Sequence, residues 1–286
     1  MRPIGTPAGT PAGTPVSATR GGPAHPFDSA HPLGDEAKLA LRQVRYEQLA
    51  FWRNPFGAGF TVVFSVVFLV FLGASGGTFK ELGNIRAVDY YVPGFVAYGV
   101  MAAAFNMLSI RLVTNREMGL LKRLRLTPLP TWALFGGMFG STVIICVVEV
   151  VLLLVVGRYG YQVPFPYQPA ALALALVVGI FCFFALGVAA SSLIPNQDAA
   201  APIISIVYFV LLFVSGLWFP LTKGSTLANV SSWFPVRHFI LAVFAPFDPR
   251  RATPAFAWHD LLVLALWGVG ALILALRRFQ WEPRRA

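Results

Sequence analysis

The sequence predicts an all-α integral membrane protein of six transmembrane helices. An N-terminal amphipathic helix in the interface, a short cytoplasmic helix and re-entrant outer-leaflet helices are expected beside them. Three observations carry this. First, AVILMFWYC make up 57% of the 286 residues and charged residues only 12%. A soluble domain is about 25% charged, so too few polar side chains exist to coat a water-facing globule. Second, six apolar runs are each near the ~17–25 residues that cross a bilayer as helix. Third, the basic residues are segregated between the loops. A soluble enzyme is excluded, and so is disorder over the bulk of the chain.

Residues 1–34 hold seven Pro and six Gly, with the repeat Gly5-Thr6-Pro7-Ala8, Gly9-Thr10-Pro11-Ala12 and Gly13-Thr14-Pro15. Such a segment buries too little apolar surface to offset its ordering entropy, and it lacks the apolar stretch of a signal peptide. It is expected to be a disordered cytoplasmic tail. From Asp35, a plausible N-cap, to Trp52 the pattern turns helical. Ala37, Ala40, Leu41, Val44, Phe51 and Trp52 share one face, while Lys38, Arg42, Arg45 and Glu47 take the rest. Asn54-Pro55 should end the helix. A basic amphipathic helix just before a span suits the headgroup plane; packing on a soluble neighbour is the other reading.

The spans are Phe56–Gly73, Val92–Val113, Thr131–Val156, Ala170–Ile194, Ala201–Phe219 and Leu261–Leu276, the last short unless it starts near Trp258. An even number puts both termini on one side. The N-terminal segment, the Arg111–Arg125 connection and the C-terminal tail hold fifteen Lys and Arg; the other three loops hold seven. Positive residues stay inside, so both termini are expected in the cytoplasm. The same rule explains the net charge of +10 better than a nucleic-acid partner does, and none is expected. Leu221–Phe247 is apolar but divided by Pro235 and Pro246. Irregular backbone is not tolerated facing lipid, so two short helices dipping into the outer leaflet are expected, with Ser231–Pro235 as the turn.

Chemistry is sparse. No GxxxxGK[ST] phosphate loop is present, no paired carboxylates stand in a convincing context, and the four histidines form no HExxH pair. Cys146 and Cys182 lie in apolar runs without metal-ligand spacing. No catalytic, cofactor or metal site is expected. Glu149, in Val147-Val148-Glu149-Val150, is the one acid deep in a span. An intramembrane carboxylate is costly and marks a functional candidate; an interhelical hydrogen bond is the alternative. Gly136-x-x-x-Gly140 hints at close helix contact.

One stretch stands out: Asn115-Arg116-Glu117-Met118-Gly119-Leu120-Leu121-Lys122-Arg123-Leu124-Arg125-Leu126-Thr127-Pro128-Leu129-Pro130. Leu120, Leu121 and Leu124 share one face, and Lys122, Arg123 and Arg125 point elsewhere. An apolar ridge with a basic rim suits a groove on a soluble partner; a positive-inside loop without a partner fits the residues equally.

The run Glu117-x-Gly119-Leu120-Leu121-x-x-Leu124-x-x-Thr127-Pro128-Leu129-Pro130 resembles the cytoplasmic signature of ABC transporter type-2 permeases, particularly the daunorubicin-resistance-like exporters. Agreement extends over about residues 36–280. It includes Trp52-Arg53-Asn54-Pro55, Ser191-Ser192 with Asn196-Gln197, and Phe234-Pro235 with Arg237-His238. Met118 and Leu120 replace the Arg and Thr common at those positions, and the Gly-Thr-Pro tail has no counterpart. The resemblance implies a transmembrane domain over 35–280, a cytoplasmic C-terminal tail at 281–286, and a plasma-membrane permease in which hydrolysis is left to a partner. Two permeases, identical or paralogous, would pair with two ATPase subunits that bind ATP and Mg. Residues Glu117–Leu126 would form the coupling helix, and Arg42, Arg45, Trp52 and Arg53 would belong to a connecting helix beside the ATPase. Outer helices cap the path in this family, so Trp218, Phe219, Trp233 and Phe234 are expected as an aromatic gate at the headgroup level, with Glu149 on the path. The cargo expected is an apolar or amphipathic drug or lipid, with polysaccharide or glycolipid export as the alternative. A self-sufficient secondary transporter would need inverted repeats or paired intramembrane charges, and neither is evident.

Overall fold

The computed structural model describes residues 33–53, 55–79, 85–125, 130–218, 220–221, 224–248 and 256–279. Helix α1 spans Leu33–Trp52 and α2 spans Pro55–Ala74. Helices α3 (Ala87–Met101) and α4 (Leu108–Glu117) form one rod joined by a π turn over Ala102–Met107. The short α5 covers Leu120–Arg125. Three long helices follow: α6 (Thr131–Tyr161), α7 (Pro169–Leu193) and α8 (Gln197–Ser215). Short α9 (Thr226–Ser231) and α10 (Pro235–Phe244) precede α11 (Trp258–Arg278). Among the described residues, the strands are one two-residue antiparallel pair, β1 (Thr78–Phe79) and β2 (Ile85–Arg86), between α2 and α3.

Among the described residues, five helices are long and apolar enough to cross a membrane: the α3–α4 rod, α6, α7, α8 and α11. Helix α2 is 20 residues long, of which Val62–Ala74 counts as a shorter apolar helix. The chain is a multi-pass membrane protein. Helix α11 does begin at Trp258, which removes the doubt about its length. The α3–α4 rod runs well past both ends of the expected span, through Ala87 and Glu117. Helix α1 begins before Asp35, so that residue lies inside the helix and is not its cap. The tail expected over 1–34 is corrected at its end, where Leu33 and Gly34 already belong to α1. Its residues 1–32, residues 126–129, Phe219 and residues 281–286 lie outside the described residues.

Contacts at the helix termini define two ends of the bundle. At one end α4 stops, α5 sits, and the C-terminus of α7 and the start of α8 meet. At the other, Tyr161 at the end of α6 donates its hydroxyl to the Val70 carbonyl of α2 at 2.7 Å, and the Tyr167 amide donates to the Pro246 carbonyl at 2.9 Å. Tyr90 at the start of α3 donates to the Gly216 carbonyl just past α8. Phe135 near the start of α6 meets Phe279 just past α11, with ring centroids 5.2 Å apart. Helix α11 therefore returns the chain to the α5 end. Its N-terminus lies at the far end with α9 and α10.

The core runs through α3 and the π turn after it, where every residue from Val92 to Phe105 is buried. Around it, α6 exposes Ile144, Val147, Val148 and Val151 while burying Cys146, Glu149, Val150 and Leu153. Both faces are apolar, as expected of a helix between protein and lipid.

Candidate functional site

The joint between α4, α5 and α7 is built around Arg116, a residue the sequence marked only as an orientation charge. Its side chain is almost fully buried, 2% exposed. The guanidinium donates to the Ser191 carbonyl at 3.2 Å, the Ile194 carbonyl at 2.8 Å and the Pro195 carbonyl at 3.1 Å. These carbonyls close α7 and its exit, where the last turn of a helix leaves acceptors without intrahelical partners and the dipole favours a cation. Arginine suits the place because its planar fork presents several donors at once. Glu117 completes the joint, with Oε1 3.0 Å from Arg116 Nε and Nη2. The next helix is held to the same point, since Asn196 Oδ1 accepts from the Ala199 amide at 2.9 Å and caps α8. Ser191 and Ser192 both turn their hydroxyls to the Val188 carbonyl.

The structure corrects the extent of the expected coupling helix. Glu117 ends α4, the chain turns at Met118 and Gly119, and α5 starts at Leu120. Gly119 adopts φ +69°, a left-handed conformation that costs glycine nothing. The Arg123 amide donates to the Gly119 carbonyl at 3.1 Å. The apolar ridge is largely used within the chain: Leu121 is 1% exposed, and Leu120 and Leu124 are half-buried. Lys122 and Arg123 are exposed, and Arg125 closes the helix. What α5 offers outward is therefore its basic rim, with Met118 beside it at 59% exposed.

Helix α1 packs across the first third of α6. Gln48 Nε2 donates to the Ser141 carbonyl at 2.8 Å and its hydroxyl at 3.0 Å. Buried Glu47 forms an ion pair with Arg111 of α4 and accepts from Gln43 at 2.9 Å. A Cβ on Gly137 would strike the Gln43 side chain, and one on Gly140 would meet Val44. Gly136 faces open space, so the close contact uses Gly137 with Gly140 rather than the expected spacing. Arg42, Arg45, Trp52 and Arg53 lie on the exposed side, and Trp52 Nε1 donates to Gln48 Oε1 at 3.0 Å. The amphipathic helix is fastened to the bundle by a buried polar edge.

Midway along the bundle, Glu149 is 1% exposed. Ser65 of α2 donates to its Oε1 at 2.6 Å. Among the described residues Oε2 has no hydrogen-bond partner. Gly99 of α3 makes room for the carboxylate, because a Cβ there would fall on the carboxylate itself. An aromatic column runs from this level toward the far end. Phe64, Phe68, Phe95, Tyr98, Tyr208 and Trp218 lie in a chain of ring contacts at 4.4–6.4 Å.

The expected aromatic gate is divided. Trp218 belongs to that column, with Nε1 buried and without a partner among the described residues. Trp233, 78% exposed, and Phe234 stand on the turn between α9 and α10. Among the described residues no ring contact joins the two groups. That turn falls where Pro235 places it, at the first position of α10, where its missing amide costs nothing.

The far end holds a cluster that the histidine spacing did not reveal. His238 of α10, with His259 and Asp260 at the start of α11, brings three ligand atoms within 4.8 Å of one another. The residues are about one helix apart in sequence, so no local motif announces them.

Residues 42–247 match the ABC-2 type transporter family. The chain is 25% identical over 157 residues to "Probable multidrug ABC transporter permease YbhR" of Escherichia coli strain K12, an alignment covering 54% of this chain and 43% of that one. It is 23% identical over 238 residues to "Putative transport permease YvfS" of Bacillus subtilis strain 168, covering 80% of this chain and 92% of that one. Against "ABC transporter G family member 20" of Dictyostelium discoideum, 152 residues align at 29% identity, covering 53% of this chain and 20% of that one. The alignment spans less than half the length of the Escherichia coli permease. The matched segment contains the α4–α5–α7 joint, Glu149, and the α9–α10 pair. The chain belongs to the ABC-2 type transporter family.

Proposed function

We propose that this chain is the permease subunit of an ATP-driven exporter in the plasma membrane. It moves an apolar or amphipathic drug or lipid outward, with six spans and both termini in the cytoplasm. It works as a homodimer or with a paralogous permease, joined to two copies of an ATPase that binds ATP and Mg. The α5 end faces the cytoplasm in this reading.

The observation that carries the reading is the Arg116 joint. It ties the end of α4, which leads through the Met118–Gly119 turn into the basic-rimmed α5, to the carbonyls closing α7. A push passed from α5 through the Met118–Gly119 turn to α4 would then reach α7 as well, because Arg116 joins the two. Helix α1 extends the same surface, with Arg42, Arg45 and Arg53 exposed and Glu47 linked to Arg111. The basic rim of Lys122 and Arg123 suits an acidic groove on the ATPase. Glu149 and the aromatic column lie within the bundle, and in this reading they would border the path of a lipophilic cargo carrying a positive group. The description of the Escherichia coli relative as a multidrug permease supports the drug alternative.

The test is transport by the permease co-purified with its ATPase and reconstituted in proteoliposomes. The reading expects ATP-dependent accumulation of a fluorescent lipophilic cation in vesicles whose α5 face is outside. Accumulation independent of ATP, or driven by an ion gradient alone, would contradict it.

A further inference from the structure

We propose that His238, His259 and Asp260 form a binding site for a divalent transition-metal ion of the zinc class, which clips α10 to the start of α11 at the far end of the bundle. The argument begins with the His238 ring. Its Nε2 lies 2.9 Å from the Ser232 carbonyl and its Nδ1 lies 2.7 Å from Asp260 Oδ1. Both partners are acceptors. If Nε2 carries the hydrogen donated to Ser232, the Nδ1 lone pair faces a carboxylate oxygen, and a cation between them resolves the conflict. A metal-ligating histidine usually donates its second nitrogen to a carbonyl in this way, which fixes the tautomer and the ring orientation. Here α9 supplies that carbonyl just past its last residue.

A bridging proton would need only His238 and Asp260. The third residue points to a metal. His259 Nδ1 lies 3.9 Å from the same Oδ1, and the two imidazole rings are 5.6 Å apart. Two imidazoles and a carboxylate are the donor set that zinc takes, at about 2.0–2.2 Å from each ligand atom. Tetrahedral ligands at that radius stand about 3.3 Å apart. The His238–Asp260 pair would have to open slightly and the exposed His259 ring swing in, motions that side chains can supply. The fourth position would stay open to water, since the His259 side is exposed.

Other charges facing the cluster do not fill the place. Arg237 is attracted to Asp260, yet its Nη1 is directed at the Ser215 carbonyl, 3.3 Å away. Its charge tempers affinity without occupying the donor atoms. A bound ion would join the α9–α10 turn to a membrane-crossing helix, so binding should stiffen this corner. The cluster stands on its own geometry, independent of the direction of transport.

The experiment titrates Zn²⁺ into the full-length permease in lipid nanodiscs by calorimetry, with thermal unfolding followed in parallel. One ion per chain should bind, and the unfolding temperature should rise as expected for a ligand that prefers the folded state. Asp260→Asn and His259→Ala should each weaken binding at least about tenfold and remove the thermal shift. His259 is on the surface, so His259→Ala keeps the test decisive where a His238 variant fails to fold. Binding that is absent, or equal in the wild type and both variants, would overturn the proposal. Absent binding would leave a proton as the cation between His238 and Asp260.

Discussion

The two ends of the bundle are held by different physics. At the α5 end, elements far apart in sequence are fastened by charge: Arg116 to the carbonyls closing α7, and Glu47 to Arg111 across α1 and α4. At the far end, rings and single hydrogen bonds join most elements, beside one charged contact, His238 with Asp260 at 2.7 Å between α10 and α11. Tyr90 meets Phe79, Tyr91 and Phe244 as well as the Gly216 carbonyl, and the Arg86–Asp89 pair is local and half-exposed. Charge-assisted bonds have narrow geometry and resist sliding, whereas packed aromatic faces exchange among several arrangements at small cost. Under the proposed function, an end that receives a push must not give way, and an end that opens must. The contrast teaches that long-range charged fastening gathers around α1, α4 and α7, beside α5.

The comparison can be broken most severely at Arg116. Arg116→Met should cost about 3–5 kcal/mol, because it removes a buried cation and leaves the carbonyls that close α7 without their donor. A matching fall in thermal stability in detergent checks this, and Arg116→Lys should recover only part of it. Second, Arg111→Met should cost about 1–2 kcal/mol. Glu47 would be left buried but would keep the Gln43 amide. Protease cleavage between α1 and α2 should then become faster.

At the far end the same measurements should report less. Tyr90→Phe should cost about 1 kcal/mol, the usual net worth of one hydrogen bond, since the ring contacts remain. Trp233→Ala should lie within about 0.5 kcal/mol of the wild type, because the side chain is 78% exposed. Export should fall all the same if this ring caps the path. Equal stability losses for Arg116→Met and Tyr90→Phe would erase the distinction between the ends.

Much of the fold was legible because lipid and water sort residues crudely. Hydropathy located the long helices, and the prolines divided Leu221–Phe247 into the α9–α10 pair with its turn in the expected place. The inward faces were not legible. Helices α6 and α7 are apolar all round, so nothing in their periodicity says which side meets protein. The π turn at Ala102–Met107 also left no signal. It packs against α7, where Ser109 Oγ donates to the Gly187 carbonyl at 3.0 Å.

The site was legible in outline and misread in detail. The Glu117–Leu126 run does carry a short helix, yet Leu121 is spent inside the chain and Glu117 belongs to α4. Arg116 looked like one more positive-inside charge, because sequence cannot tell a solvated arginine from one that caps a distant helix. A buried partner in α7, about 75 residues away, is a tertiary fact. The His238, His259 and Asp260 cluster was hidden for the same reason.

The most direct test of the Arg116 joint is a distance measurement between spin labels at Met118→Cys just past α4 and Leu193→Cys at the end of α7, both exposed in this chain. The measurement is made in the assembled transporter, with and without trapped ATP. The account predicts one narrow distance, unchanged by nucleotide, that broadens when Arg116→Met is added. A distance that shifts or broadens with nucleotide while Arg116 is intact would contradict the claim that α4 and α7 move as one body.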